Sequence, residues 1–365
     1  MKILLIGEYS NVHATLAEGL KAIGHSVTVV SNGDFWKNYP RDISLVRHPS
    51  KLGGIVYMAK LYSILPRLRG YDVVQLINPM FLEIKAERIF AIYRYLRKHN
   101  GKVFLGGYGM DWYWVNTCVN DKPLRYSDFN FGNELRSDVS AMKERADWTG
   151  TAKERLNRYI AEDCDGIITG LYEYWVCYNP AFPEKTMFIP FPIKPVHTRV
   201  ADGFTYPVRI FIGINKARSE YKGTDIMLRA AIDIKDKYPD KVEVIKAESV
   251  PFNEYRKLMD SSDIILDQLY SYTPAMNALL AMSKGIIVVG GGEKENYDIL
   301  NEKELRPIIN VEPSYDSVFK ALERLVTCPE AIPSLKRQSV EYIRKHHDYI
   351  KVARQYEKFY GTKKR

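Results

Sequence analysis

Two apolar runs, residues 262–268 and 286–289, bracket a segment with the marks of one short helix, and three glycines follow the second run. The first run, opened by polar residues, suits a buried strand. Thr273 suits a helix N-cap, and Pro274 suits the first helical position, where a missing N–H costs nothing. Met276, Leu279, Leu280 and Ala281 give the helix its apolar side. Lys284 suits its negative end, and Gly285 the left-handed residue that stops it. Gly290, Gly291 and Gly292 let the backbone turn tightly, and a new helix is expected near Lys294. The order is strand, loop, helix, strand, glycine loop, helix. In a parallel sheet both loops lie at the carboxyl ends of the strands, where ligands of open α/β sheets bind. The helix N-termini there offer unpaired N–H groups and a positive dipole end, to which a diphosphate is a natural guest.

The same stretch resembles the nucleotide-sugar site of GT-B fold glycosyltransferases of the family 4 type. Leu280-Ala281-Met282-Ser283-Lys284-Gly285 is similar to that family's "EAMAxG", and Gly291, Gly292 and Glu295 to its following turn. The family's E-x7-E pair is replaced, with Tyr272 at the first glutamate position and Leu280 at the second. The resemblance implies that the first position approaches the donor sugar and the second the ribose hydroxyls. It places donor contacts at Tyr272, Gly291, Gly292 and Glu295, and because Pro274 has no N–H the helix N-terminus would add the amides of Ala275 and Met276, for which Thr273 would compete as a cap.

With 365 residues the chain is long enough for two domains. Its apolar and charged shares are those of a soluble globular protein, and no run approaches the ~18 apolar residues of a membrane span. Cys118, Cys164, Cys177 and Cys328 share no metal spacing and form no small-domain disulfide framework, so a reducing cytoplasm is expected. Net charge is +9, and residues 336–365 alone hold ten Lys and Arg against three acids. Residues 85–102 add Arg88, Arg94, Arg97 and Lys98. Such clusters can meet an anionic membrane face or an acidic substrate. No nucleic-acid-binding motif is present.

From the amino terminus the chain alternates strands and helices. Residues 2–6 form a strand closed by Gly7, residues 12–23 a helix, and residues 26–30 the next strand. Gly24-His25-Ser26-Val27-Thr28-Val29-Val30 is similar to the "GHxVxVV" of the same glycosyltransferases. Gly7, Glu8 and His13 lie in or beside the first loop, which would face the cleft. Further strands are expected at 72–76, 102–106, 166–169 and 186–189, with helices near 55–65 and 82–98. Gly107-Tyr108-Gly109-Met110-Asp111 resembles a turn near the acceptor, with Tyr108 where relatives carry His and Asp111 able to orient an acceptor hydroxyl. Residues 112–150, rich in Trp and Tyr, read as an acceptor-side lid. Asp163-Cys164-Asp165 has a metal-binding D-x-D form, but it leads into a strand instead of following one, so no metal is expected.

Pro190, Pro192, Pro195 and Pro207 mark a linker. Beyond it, a strand at 208–212 runs into Gly213, then Lys216, Arg218, Lys222 and Gly223, then a helix from Thr224. The loop resembles the family's "GR…KG" clamp, with Lys216 in place of the arginine, Arg218 close by and Lys222-Gly223 as the KG. Cations before a helix N-terminus supply charge for a departing phosphate. A strand at 241–245, a loop at 247–250 that would meet the cleft and could frame a nucleotide base, and helices near 252–259, 314–326, 334–345 and 350–360 complete the chain.

The resemblance implies a GT-B architecture of two facing Rossmann-like α/β domains. The first would span residues 1–190 with a carboxy-terminal helix at about 346–365 crossing back, and the second, the donor domain, residues 200–345. It implies a hexosyltransferase-like enzyme that moves a sugar from a nucleotide-diphosphate donor to a glycan or lipid-linked acceptor, with retention and without a cofactor. Asp111, Lys216 and Lys222 would carry the chemistry. A non-catalytic nucleotide-sugar or glycan binder and a sugar-nucleotide epimerase on the same fold are the alternatives.

Overall fold

The computed structural model describes residues 1–50, 52–196, 200–248 and 250–362. Its strands are β1 (Lys2–Ile6), β2 (Ser26–Ser31), β3 (Ile43–Ser44), β4 (Val73–Leu76), β5 (Lys102–Gly107), β6 (Asn130–Phe131), β7 (Glu134–Leu135), β8 (Gly166–Thr169), β9 (Thr186–Phe188), β10 (Val208–Ile214), β11 (Val242–Glu248), β12 (Ile264–Leu266), β13 (Ile287–Gly290) and β14 (Ile309–Asn310). The chain divides into two compact units. One holds residues 1–121, 144–192 and 349–365, the other residues 122–143 and 193–348.

The first unit is built on a parallel sheet in the order β3-β2-β1-β4-β5-β8-β9. Ile3 stands level with Val27 on one side and Val73 on the other. The inner strands are buried on both faces, which is why they read as continuous apolar runs and not as alternation. Helix Val12–Ala22 packs against helix Tyr349–Gly361. The latter is tied in by a buried polar network in which Gln75 Nε2 donates to Tyr108 Oη (2.8 Å), Tyr108 and Tyr356 share a hydrogen bond (2.5 Å), and Tyr360 donates to Gln75 Oε1 (2.5 Å).

The second unit carries a parallel sheet in the order β11-β10-β12-β13-β14. Its core joins Val208, Ile210 and Ile212 of β10 to Met227, Ala230 and Ile234 of helix Thr224–Lys237 and to Val318, Leu322 and Leu325 of helix Tyr315–Thr327. The strand expected at 241–245 is β11, which runs on through Ala247 and Glu248 into the expected loop, and position 249 lies outside the described residues. Residues 122–143, with the β6–β7 hairpin, belong to this unit and not to the first domain as expected. Trp114 and Trp148 of the same aromatic stretch are buried in the first unit.

The carboxy-terminal charge is divided as well. Residues 336–348 fall in the second unit, where Lys336 pairs with Asp263 (2.5 Å), Lys345 with Glu302 (2.8 Å) and Arg337 with Asp202 (3.4 Å). Arg97 pairs with Asp163 and Asp165. The expected basic residues are therefore divided between the two units, and Arg97, Lys336, Arg337 and Lys345 among them are paired with acids.

Candidate functional site

In the second unit the carboxyl ends of β10, β12 and β13 gather the residues that the glycine-rich loops announced. The loop after β10 runs through a turn at Lys216–Arg218 and a short helix at Ser219–Lys222 into helix Thr224–Lys237. Lys216 does not point a free charge at a ligand. Its Nζ lies 2.5 Å from Glu248 at the end of β11, and Lys246 holds the other oxygen at 3.0 Å. These two lysines keep the Glu248 carboxylate below its ordinary value. Arg218 lies over the Tyr221 ring, 4.8 Å from its centre.

Lys222 is half-buried, and its charge acts on Asp267, a buried carboxyl one residue past β12. Burial raises the Asp267 pKa, while Lys222, the Gln268 amide and the Asn277 side chain pull it down. Asn277 Nδ2 also donates to Tyr255 Oη (3.0 Å), and the Tyr255 ring lies against the backbone of Gly213. Lys222, Asp267, Asn277 and Tyr255 thus form one polar cluster. Sequence reading singled out only its lysine. The signal for the rest was an acid ending an apolar strand, Ile264-Ile265-Leu266-Asp267.

The next helix spans Met276–Ser283, not Pro274 onward. Ala275, extended at ψ −178°, is its N-cap and provides no side-chain bond. Thr273, expected as the N-cap, is buried two residues before Ala275. The free donors are therefore those of Met276 and Asn277, one residue later than expected. Gly285 follows the helix at φ 75°, as its role as a stop requires.

The glycine loop is more occupied than its sequence suggested. A Cβ on Gly291 would lie 1.9 Å from the Ser271 carbonyl, so only glycine lets the two loops meet. The Gly292 amide donates to Asn310 Oδ1 (2.9 Å) and is not offered to a ligand. Tyr272 is buried, and its Oη accepts the Arg125 amide (2.6 Å). It therefore packs inside the unit at the position where the resemblance expects an acid. The acid that matters structurally is Glu293, not Glu295. Glu293 Oε1 accepts from Tyr126 Oη (2.5 Å), and Oε2 pairs with Arg125 (2.5 Å). Glu295 Oε2 is buried without a hydrogen-bond partner.

The segment expected as an acceptor-side lid is what binds these loops. Besides Arg125 and Tyr126, it supplies Arg136. That guanidinium donates to the Glu220 and Tyr221 carbonyls (3.2 and 3.1 Å) and stacks on the Tyr270 ring at 3.9 Å.

In the first unit, the end of β1 brings Gly7, Glu8 and His13 together. Glu8 accepts the His13 and Ala14 amides (3.3 and 2.8 Å) and so caps helix Val12–Ala22 from outside it. Burial pushes its carboxyl up to about 8, against those amides. His13 Nδ1 donates to the Gly7 carbonyl (2.8 Å), and burial lowers the ring's pKa to about 3. The neutral ring thus carries its lone pair on Nε2, a buried atom without a partner.

Asp111 is fully engaged. Oδ1 caps helix Trp112–Asn116 through the Trp114 amide (2.9 Å), and Oδ2 accepts from Tyr178 Oη (2.6 Å). Burial pushes it up to about 6. Its expected role of orienting an acceptor hydroxyl gives way to that of a turn cap. Tyr108 is likewise withdrawn from the acceptor side, since its hydroxyl belongs to the interior network with Gln75 and Tyr356.

No family model and no characterised protein matches the sequence. Solved structures do match in fold. Sucrose-phosphate synthase from Thermosynechococcus elongatus is 14% identical at a TM-score of 0.59, with 99% of this chain and 98% of that chain covered. HepE from Anabaena, in complex with UDP and glucose, is 11% identical at 0.61, with 98% of each chain covered. WaaG, a glycosyltransferase involved in lipopolysaccharide biosynthesis, is 13% identical at 0.54 over the whole of both chains. With its two parallel α/β units, the chain has the fold of the GT-B glycosyltransferases.

Proposed function

We propose that the chain transfers a sugar from a nucleotide-diphosphate donor to a hydroxyl of a glycan or lipid-linked acceptor at a membrane face, with retention and without a bound metal. One arrangement carries the reading: Lys222 ends the short helix in the loop after β10, its charge acts on the buried Asp267 one residue past β12, and the amides of Met276 and Asn277 open the helix that follows β12. A cation and a helix N-terminus that follow neighbouring strands, β10 and β12, supply positive charge and N–H donors for a departing diphosphate, and the effect grows where water is excluded. The fold neighbours support the substrate class, since HepE was crystallised with UDP-glucose and the starch synthase IV catalytic domain from Arabidopsis thaliana with ADP. In this reading Lys222 is the phosphate-facing cation, Arg218 is secondary, and Lys216 is held back by Glu248.

One observation favours a second reading, a binder without turnover. Tyr272 and Leu280 occupy the positions where the resemblance expects two glutamates, and the Tyr272 hydroxyl is already engaged by Arg125. Incubation with a panel of nucleotide sugars, with and without glycan and lipid-linked acceptors, separates the two. Transfer releases free nucleoside diphosphate above the rate of a Lys222→Ala control. Binding of the donor with no release from any pair would leave only the second reading.

A further inference from the structure

Helix Gly53–Ile64 in the first unit is apolar nearly all round, yet it lies on the surface. Gly53, Tyr57, Leu61 and Ile64 face inward and are buried. The opposite side carries Ile55 (67% exposed), Val56 (64%), Ala59 and Tyr62 (56%), at the spacing of one helix face. Leu52, just before the helix, is 67% exposed. The turn at Phe35–Lys37, which leads into the same edge strand β3, exposes Phe35 and Trp36 as well. A surface helix normally turns charged residues to water, and an apolar outer face of this kind marks a site that something covers.

Charge identifies the cover. Residues 43–71 contain no Asp or Glu and five Lys or Arg. Four of these, Arg47, Lys60, Arg67 and Arg69, are exposed. Glu83 accepts the Arg47 amide (3.2 Å), and its own amide donates to Tyr57 Oη (3.2 Å), so that acid belongs to the packed side of the helix. An apolar strip with a tyrosine and a basic surround matches an anionic lipid surface. The strip enters the acyl boundary, Tyr62 sits at headgroup level, and the cations meet phosphate. A protein partner of matching shape would have to be both apolar and acidic, and a second copy of this chain would set like charges against each other.

The geometry points to helix Gly53–Ile64 as the face by which this chain lies on an anionic bilayer. This takes up the membrane contact proposed above and places it on one helix, whereas three of the carboxy-terminal basic residues, Lys336, Arg337 and Lys345, are held in ion pairs within the second unit.

The test is flotation with vesicles of phosphatidylglycerol and phosphatidylcholine, and with phosphatidylcholine alone, at low and high salt. The wild-type chain is expected to float with the anionic vesicles. Ile55→Ser/Val56→Ser/Tyr62→Ser should lower the partition coefficient about tenfold or more at unchanged melting temperature. Lys60→Glu/Arg67→Glu, which leaves the apolar strip intact, should remove the preference for anionic lipid, and it decides the matter if the triple variant melts early. No flotation of the wild type would overturn the membrane contact itself. Flotation unchanged in both variants would overturn only this face. A wild-type dimer in sedimentation, dissociated by the triple variant with flotation unaltered, would assign the face to a second copy. None of these outcomes bears on sugar transfer.

Discussion

Tyr126 Oη lies 2.5 Å from Glu293 Oε1, although 167 positions separate the two residues. Through this bond, and the Arg125 ion pair on the other oxygen, the segment between the Trp112–Asn116 and Val139–Trp148 helices holds the glycine turn that follows β13. Burial would raise the Glu293 carboxyl, but Tyr126 and Arg125 outweigh it and hold it below its ordinary value.

Tyr126→Phe is therefore expected to destabilise the chain by about 2 kcal/mol, the worth of a hydrogen bond to a charged group. A carboxylate whose folded pKa is depressed stabilises fully above its unfolded value and loses that contribution as pH falls through the folded one. The gap between wild type and variant in urea unfolding should be full at pH 7 and shrink below about pH 4. A gap that stays constant with pH would deny Glu293 this role.

Gly291→Ala should be costly for a different reason. The new Cβ would meet the Ser271 backbone carbonyl, which cannot swing aside as a flexible side chain would. Overpacking of this kind costs roughly 1–3 kcal/mol or more. The check is the denaturation midpoint, with Gly203→Ala as the matched control, since a Cβ there meets nothing within 4 Å.

The alternation of buried strands and helices was legible because strands buried on both faces read as apolar runs whatever lies around them. The loop cations were legible as residues, but not their partners. Lys216 meets Glu248, 32 positions on, and nothing in the local pattern announces that pairing. The helix at Met276–Ser283 starts later than its Thr273-Pro274 signal because Ala275 stays extended, and nothing in the local pattern announces that delay. Residues 122–143 read as part of the first domain by their place in the chain, while contacts with Glu293, Tyr221 and Tyr270 decide their allegiance.

In the first unit, Glu8 sets a pH dependence. Its folded pKa, about 8, lies above the ordinary glutamate value. Such a group contributes stability that is fully present below the unfolded pKa and is lost as pH rises through the folded one. Glu8→Gln removes the titration, at the cost of an acceptor for one helix amide. Whatever its offset at pH 5, the variant's melting temperature should gain on wild type between about pH 5 and 8. A difference that is flat over that window would mean Glu8 is ionised throughout.

Calorimetric titration of UDP into the wild-type chain and the lysine variants tests the diphosphate site most directly. A charge-assisted contact to phosphate contributes on the order of 1.5–3 kcal/mol. Lys222→Ala should therefore weaken binding about 10- to 150-fold, while Lys216→Ala, already paired with Glu248, should weaken it less. No UDP affinity in the wild type, or affinity untouched by Lys222→Ala, would contradict the proposal that these strand ends hold a nucleoside diphosphate.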